Sequence, residues 1–282
     1  IKDIDAFVVT LPRKLSFHVL KHLIKFRKPI FTEKPLCLET KNALILKDLA
    51  SKYSTYIKIG YMKSHDVSIN HLKELINNSC EAKQKIKLIN AYSFMGDSYC
   101  SPFGDFKGKD SPEINLKEES LPDWLDSNNF YGYEQFINVF SHLTHIIEDI
   151  FKEDINIISC KVNNLGEGII LCEINGIPLS LSLCRGEQNK WEEGIDIKFN
   201  QKIISIKFAA PFLRNVPATI YINEGIELNR NIEIRPTWSW AFKNQAIDFC
   251  KKVNEGHFDN FELNQAIRQI EFAEKVFKNY IN

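Results

Sequence analysis

Nowhere along its 282 residues does the chain hold an apolar run close to the ~20 residues that a bilayer-spanning helix requires. Its opening, IKDIDAFVVTLP, lacks the basic, apolar and small-residue succession of a secretory leader. Net charge is missing as well: 36 basic residues balance 36 acidic ones, so no field gathers nucleic acid or an anionic membrane surface. The seven cysteines, Cys37, Cys80, Cys100, Cys160, Cys172, Cys184 and Cys250, are odd in number and never spaced C-x-x-C. That argues against a disulfide framework and a zinc knuckle, and fits a reducing compartment. A soluble, cytoplasmic protein with neither membrane nor nucleic acid as partner is the expectation. A glycine-rich phosphate loop is absent too. Gly166-Glu167-Gly168 runs into Ile169, Ile170 and Leu171, a turn before a strand, and Gly108-Lys109 lacks the upstream glycine and the helix of a P-loop.

What is present is an alternation of short apolar runs with helical periods. Residues 5–11 form a Val- and Phe-containing run that stops at Pro12, as a strand buried on both faces of a parallel sheet would. Leu15, Val19, Leu20, Leu23 and Ile24 recur near a 3.6-residue period, and the helix they predict breaks at Lys28-Pro29 before a second apolar run over 29–32. Thr40 stands where an N-cap would, Leu44, Leu46 and Leu49 give a second helix its stripe as far as Tyr53, and 56–60 reads as a third strand. Such alternation implies right-handed crossovers and a parallel sheet. Because no strand-helix unit precedes 5–11, that sheet is expected to be incomplete, with 5–11 on an apolar edge.

Past Gly60 the pattern changes. A helix around 70–77 and a strand over 85–94 lead into a polar stretch, 96–129, too long for a plain connector and a candidate lid or rim over a site. A helix over 133–151 precedes alternating segments at 155–162, 168–174, 178–184, 195–199, 203–209 and 218–222, with turns such as Asn175-Gly176 between them. These predict one open, mainly antiparallel sheet. Helices over 240–254 and 262–280, split at Glu255-Gly256, close the chain. The fold class is therefore α/β plus α+β: a partial parallel sheet over 1–62, then over 63–282 a domain whose open sheet is covered by helices on one face. The segment 203–208, IISIKF, carries more apolar residues than one buried face needs, which predicts a homo-oligomer formed through the outer face.

Glu33-Lys34-Pro35 falls at the carboxyl end of the second predicted strand, the side of a parallel sheet where ligands collect. A lysine there, partly desolvated beside a carboxylate, can exchange a proton with a substrate hydroxyl. On spacing alone, a surface lysine ahead of a loop proline is the plainer reading. On the 133–151 helix, Asn138 and His142 lie four residues apart and share a face, with His145 three residues further. Two partly buried imidazoles are the plain reading of that pair. A metal site would need a third ligand, none is evident, and no metal is expected.

The run DAFVVTLPRKLSFHVLKHLIKFRKPIFTEKPLCLET resembles, step by step, part of the Gfo/Idh/MocA family of oxidoreductases. It is similar to that family's fourth strand, threonine-proline turn, histidine-bearing helix and fifth strand ending in Glu-Lys-Pro. The later runs WEEGIDIKFNQKIISIKFAAPFLRNVPATIYI and TWSWAFKNQAIDFCKKVNEG look like the substrate-domain sheet and closing helix of one branch. The resemblance implies a Rossmann-type domain over 1–62 with NAD or NADP as cofactor, held around Thr10, Pro12, His18, Glu33, Lys34 and Pro35. It implies that Lys34 stands beside the nicotinamide and the substrate carbon. Gly60-Tyr61-Met62-Lys63 looks like the hinge between domains. In the 133–151 helix the family usually shows Asp, then His, then Asp, where this chain has Asn138, His142 and His145. His142 carries over as the histidine that transfers the proton or positions the substrate, and Lys63, Asn138, His142 and His145 as the substrate-binding set.

The activity implied is hydride transfer between nicotinamide and a hydroxyl-bearing carbon of a sugar, nucleotide sugar or polyol, with Lys34 and His142 in a cleft between two domains. The family's first strand and glycine loop would fall before Ile1, so an N-terminally truncated chain is expected. Asn138 and the missing loop suit an alternative, a non-catalytic sensor or assembly protein that keeps the fold and a sugar-like ligand. A lyase using Lys34 as a Schiff base is a third reading, one that needs an apolar pocket and no dinucleotide.

Overall fold

A computed structural model of the chain describes residues 3–95, 116–186, 190–225, 229–256, 258–259 and 261–280. Most of the expected 96–129 rim lies outside these. Two compact units emerge, and they are not sequential halves. The first comprises Ile1–Tyr61, Gly108–His145 and Gln245–Asn282, and the second Met62–Lys107 and Ile146–Asn244. The chain first passes between them at the suggested hinge, and two later stretches return to the first unit.

In the first unit, strands β1 (Phe7–Val9), β2 (Ile30–Thr32) and β3 (Ile57–Ile59) form a parallel sheet in that order, joined by helices α1 (Arg13–Leu23) and α2 (Thr40–Tyr53). Each strand is shorter than its apolar run, although Pro29 O still accepts from the Phe7 amide at 2.8 Å and the Gly60 amide donates to Thr32 O at 2.9 Å. β1 is an edge strand of the three, and Val8 there is largely exposed. The core beneath holds Leu20, Ile24, Ile30, Leu46, Ile57 and Ile59, closed by Leu263, Ala266, Ile267 and Ile270 of helix α7 (Phe261–Tyr280). The expected N-cap role of Thr40 is not seen. Thr40 is the first helical residue, Glu39 is the cap position without a side-chain bond, and the Thr40 amide donates to Glu274 Oε1 of α7 at 2.6 Å. A carboxylate from a distant helix thus satisfies a helix-end donor that local sequence leaves open.

One continuous helical stretch runs from Phe130 to Phe151, as α4 (Phe130–Gln135), a π-helical turn (Phe136–Phe140) and α5 (Ser141–Phe151). Its start is anchored by aromatic packing: Tyr133 and Phe136 meet Phe277 edge-on, and Phe136 stacks on Phe272.

The second unit contains helix α3 (Val67–Glu81), capped by the Asp66 side chain on the Ser68 amide at 2.9 Å, and an eight-stranded sheet. Its strands are β4 (Ile86–Met95), β5 (Asn156–Val162), β6 (Gly168–Ile174), β7 (Ile177–Arg185), β8 (Trp191–Phe199), β9 (Lys202–Lys207), β10 (Thr219–Glu224) and β11 (Arg230–Ile234). The order is β11-β10-β9-β8-β4-β7-β6-β5, antiparallel except for β4 with β7. Asn175 and Gly176, at φ 51° and 71°, turn β6 into β7, the left-handed pair that a two-residue hairpin demands. One face is buried, by Ile170, Leu181, Ile195, Ile204 and Ile220 among others, and the other exposes Ile158, Ile169, Leu171, Ile203 and Tyr221. β11 is absent from the expected strands. Its sequence, RNIEI, is almost wholly exposed at the sheet's edge, so no buried face imposed an alternation to read.

Candidate active site

The carboxyl end of β2 delivers Glu33 and Lys34, and the Glu33 amide continues the sheet by donating to Val9 O at 3.0 Å. Lys34 Nζ donates to both the backbone O and the side-chain Oδ1 of Asn138, each at 2.6 Å. The π-turn around Asn138 explains how a helix presents such a pair. A regular α-turn commits each carbonyl to the amide four residues on, whereas a widened turn leaves carbonyls for outside donors. Here Phe136 and Phe140 stay buried in the aromatic core while Asn138, half-buried between them, faces the lysine. Ser141 Oγ donates to Ile137 O at 2.7 Å and takes up the neighbouring carbonyl.

Four residues past Asn138 comes His142, and then His145. Both imidazoles are buried, and both pack on Tyr61, the residue that ends the first segment of this unit. His145 stacks on the Tyr61 ring at 4.0 Å and His142 meets it edge-on at 5.7 Å. Such ring contacts are worth about 0.5–1.5 kcal/mol each and fix the imidazole planes. Among the described residues neither histidine belongs to a group of three candidate metal ligands. The Glu33 carboxyl lies against Gly60, where an added Cβ would come within 2.9 Å of Oε2. Burial raises the Glu33 pKa, against the opposing effects of the Lys34 charge and its backbone hydrogen bond.

Lys34, Asn138, His142 and His145 therefore all belong to one compact unit. The expectation that Lys34 and His142 come from separate domains does not hold, because residues 108–145 belong to the same unit as the parallel sheet and α7. The remaining candidates are distributed more loosely. Thr10 and Pro12 are exposed in the turn between β1 and α1, Pro35 is buried behind Lys34, and His18 is half-buried on α1 with its ring against Phe17 at 5.0 Å. Lys63 belongs to the second unit, where its buried ammonium pairs with the Glu193 carboxylate and lies 5.0 Å over the Trp191 ring.

Three further residues of this unit take part, and the sequence reading gave none of them a site role. Tyr61 is one. Tyr133 is another, donating its hydroxyl to Leu38 O at 2.8 Å. Glu119 is the third: its carboxylate accepts from the Leu38 amide at 3.1 and 3.2 Å and from Asn42 Nδ2 at 2.7 Å. No local motif gives any of them that role, since each acts on a partner far along the chain.

Burial pushes the Glu119 carboxyl up to about 7, against the Asn42 and Leu38 hydrogen bonds. Its ordinary value is 4.5, so between these values the folded chain holds a proton that the unfolded chain has released. Stability then falls as pH rises through that window and levels off above it. Glu119→Gln removes the effect. The variant should gain about 3 kcal/mol on the parent between about pH 4 and pH 8. Urea midpoints of both proteins at the two pH values check this; a constant difference would sink it.

The comparisons agree on the fold. The ketoreductase KijD10 of Actinomadura kijaniata, solved with NADP and TDP-benzene, superposes with a TM-score of 0.72 at 13% identity, over 98% of this chain and 78% of that one. A putative NADPH-dependent oxidoreductase of Desulfitobacterium hafniense gives 0.74 at 10% identity, over 99% and 78%. UDP-N-acetylglucosamine 3-dehydrogenase of Acidithiobacillus ferrooxidans gives 0.66 at 14%, over 98% and 78%. In sequence, 99 residues are 27% identical to inositol 2-dehydrogenase of Corynebacterium glutamicum, a match that spans 34% of this chain and only 29% of that enzyme. No family model matches the chain. The fold is that of these solved oxidoreductases, and the likeness to Gfo/Idh/MocA-type enzymes read from the sequence is borne out at that level.

Proposed function

We propose that this chain forms the catalytic part of an NAD- or NADP-dependent oxidoreductase acting on a hydroxyl-bearing carbon of a sugar, nucleotide sugar or polyol. The observation that carries the reading is a lysine at the carboxyl end of a parallel strand, held by two 2.6 Å bonds to one asparagine. The matched enzymes supply the substrate class, since those named for a substrate act on inositol or a nucleotide sugar; all being oxidoreductases, they give no support to the sensor alternative.

The residues fit one end of a dinucleotide. An ammonium, an amide and two imidazoles suit a carboxamide and a hydroxyl. Among the described residues, however, no glycine-rich strand-to-helix turn offers the amides that take a diphosphate. Thr10, Pro12, Glu33 and Lys34, at the strand ends, would border the nicotinamide, and His18 is at most a more distant neighbour. When bound, that ring supplies or accepts the hydride. The protein's share is the proton: Lys34 Nζ removes it from the substrate hydroxyl during oxidation and returns it to the carbonyl oxygen during reduction. Asn138 holds Nζ in place, and His142 and His145, fixed by Tyr61, orient the substrate or pass the proton on. Lys63 leaves the proposed substrate set, because its ammonium is buried and committed to Glu193.

The test is turnover. The protein expressed from the complete reading frame, offered each cofactor with inositol and a panel of nucleotide sugars, should change nicotinamide absorbance with at least one of them. Saturable cofactor binding without turnover of any would overturn the reading.

The outer face of the eight-stranded sheet supports one proposal about assembly. Ile158, Ile169, Leu171, Ile203 and Tyr221 expose apolar surface from both halves of the sheet, more than a lone soluble face usually carries, and a second copy would cover it. The protein should sediment as a dimer or larger, and Ile169→Asp with Leu171→Asp should shift it toward monomer. A parent that is monomeric at micromolar concentration would count against this.

A further inference from the structure

We propose that Glu119 and Tyr133 are positioning residues that hold Lys34 on Asn138 by gripping the Leu38 peptide from both sides. This rests on the reading of Lys34 given above. Leu38 lies four residues past Lys34, and the connection is stiff: Pro35, Leu36 and Cys37 are buried, and the proline fixes its own φ. The Leu38 carbonyl accepts from Tyr133 Oη at 2.8 Å, and its amide donates to Glu119. Tyr133 precedes Asn138 by five residues on the same continuous helix. The loop and the helix are therefore joined by two rungs, Lys34 to Asn138 and Leu38 to Tyr133, and the loop cannot swing about one without breaking the other.

Glu119 supplies the third point of attachment. It is itself fixed, by its amide on Lys14 O at 2.6 Å and by Asn42. Tyr133 is wholly buried, edge-on to Trp124 and Phe277 at 5.3 Å each, so its hydroxyl is held in one place. Both groups are held by contacts that do not involve Lys34, as a positioning device requires.

The groups that face Glu119 are Glu39 beside it, Asn42 of α2, Cys37 of the gripped loop and Tyr133 of the helix, with Glu274 of α7 beyond Cys37 and Tyr133. The Lys14 side chain points elsewhere, its Nζ 3.9 Å from Glu118. With burial raising the Glu119 pKa to about 7, the Leu38 amide passes from a neutral to a charged acceptor across neutral pH. A charged acceptor holds an N–H more strongly.

The side-chain Hε resonances of Lys34, observed in the complete protein labelled with 13C-lysine and assigned with Lys34→Ala, report this directly. A held lysine shows two distinct Hε shifts, a free one a single averaged shift. The parent should show two, with a step in their titration near pH 7. Glu119→Ala and Tyr133→Phe should collapse them to one, whereas Glu119→Gln, which keeps an acceptor, should retain both and lose the step. Should Glu119→Ala fail to fold, Tyr133→Phe, which removes one oxygen, decides alone. Two shifts persisting in Tyr133→Phe, or a step surviving in Glu119→Gln, would overturn the clamp, as would a single shift in the parent. Full turnover in Lys34→Ala alongside the expected spectra would instead overturn the reading of Lys34 and leave the clamp standing.

Discussion

Lys34→Ala in the complete protein should lower kcat by roughly a hundred- to ten-thousand-fold, the range of a positioned general acid or base, while the dissociation constant for NAD or NADP changes by less than about threefold. The split follows from where the lysine points. Its Nζ is bound to Asn138 of the helix that also carries His142 and His145, not to a phosphate-binding turn, so its loss falls on the reacting hydroxyl. Lys34→Arg should not rescue the rate. A guanidinium can keep a bond to Asn138, but it does not release a proton at any accessible pH. Stopped-flow measurement with saturating cofactor separates the alternatives. A Lys34→Ala enzyme that binds cofactor poorly and turns over normally once saturated would make Lys34 a cofactor anchor rather than a proton donor.

The parallel sheet was legible because its signals are local. Pro12, Pro29 and Gly60 punctuate three apolar runs, and a strand-helix-strand order has one common handedness. Glu33-Lys34-Pro35 was legible for the same reason, being a short motif whose meaning comes from its place at a strand end. Helical spacing put Asn138 and His142 on one face, and the resemblance set His142 with Lys34, yet neither indicated that all three belong to one unit. Spacing shows which residues share a face of a helix, and says nothing about which sheet that face meets. The π-turn was invisible, since FINVF is an ordinary apolar segment whose extra residue per turn is imposed by the burial of Phe136 and Phe140. Glu119 lay in a polar stretch with no period, and its importance comes from burial against an amide 81 residues away. Lys63 shows the opposite error. Placed at the hinge and in the substrate-binding set, it is a buried cation matched by Glu193, a pairing between residues 130 positions apart.

Glu262→Ala should destabilise the protein by about 3–5 kcal/mol, whereas Lys58→Met should change stability by no more than about 1 kcal/mol, although both break the same ion pair. The asymmetry comes from desolvation. Lys58, in the middle of β3, has a side chain with 0% exposure, and its Nζ bonds Asp248 Oδ2 at 2.6 Å and Glu262 Oε1 at 3.0 Å. Asp248 and Glu262 keep 34% and 18% of their side-chain surface, and Lys252 Nζ also reaches Glu262 at 2.9 Å. Removing the lysine leaves two carboxylates with partial access to water and a second cation beside them, and a Met side chain fills the same buried channel. Removing Glu262 leaves a fully buried ammonium on Asp248 alone, with Lys252 turned from a shared partner into a repelling neighbour. Glu262 also stands in the first turn of α7, where a negative charge adds a few tenths of a kcal/mol against the helix dipole. Urea unfolding of the two variants decides the matter. Equal losses would show that the network is held by pairwise attraction, and a larger loss for Lys58→Met would reverse the argument, placing the cost on the carboxylates rather than on the buried lysine.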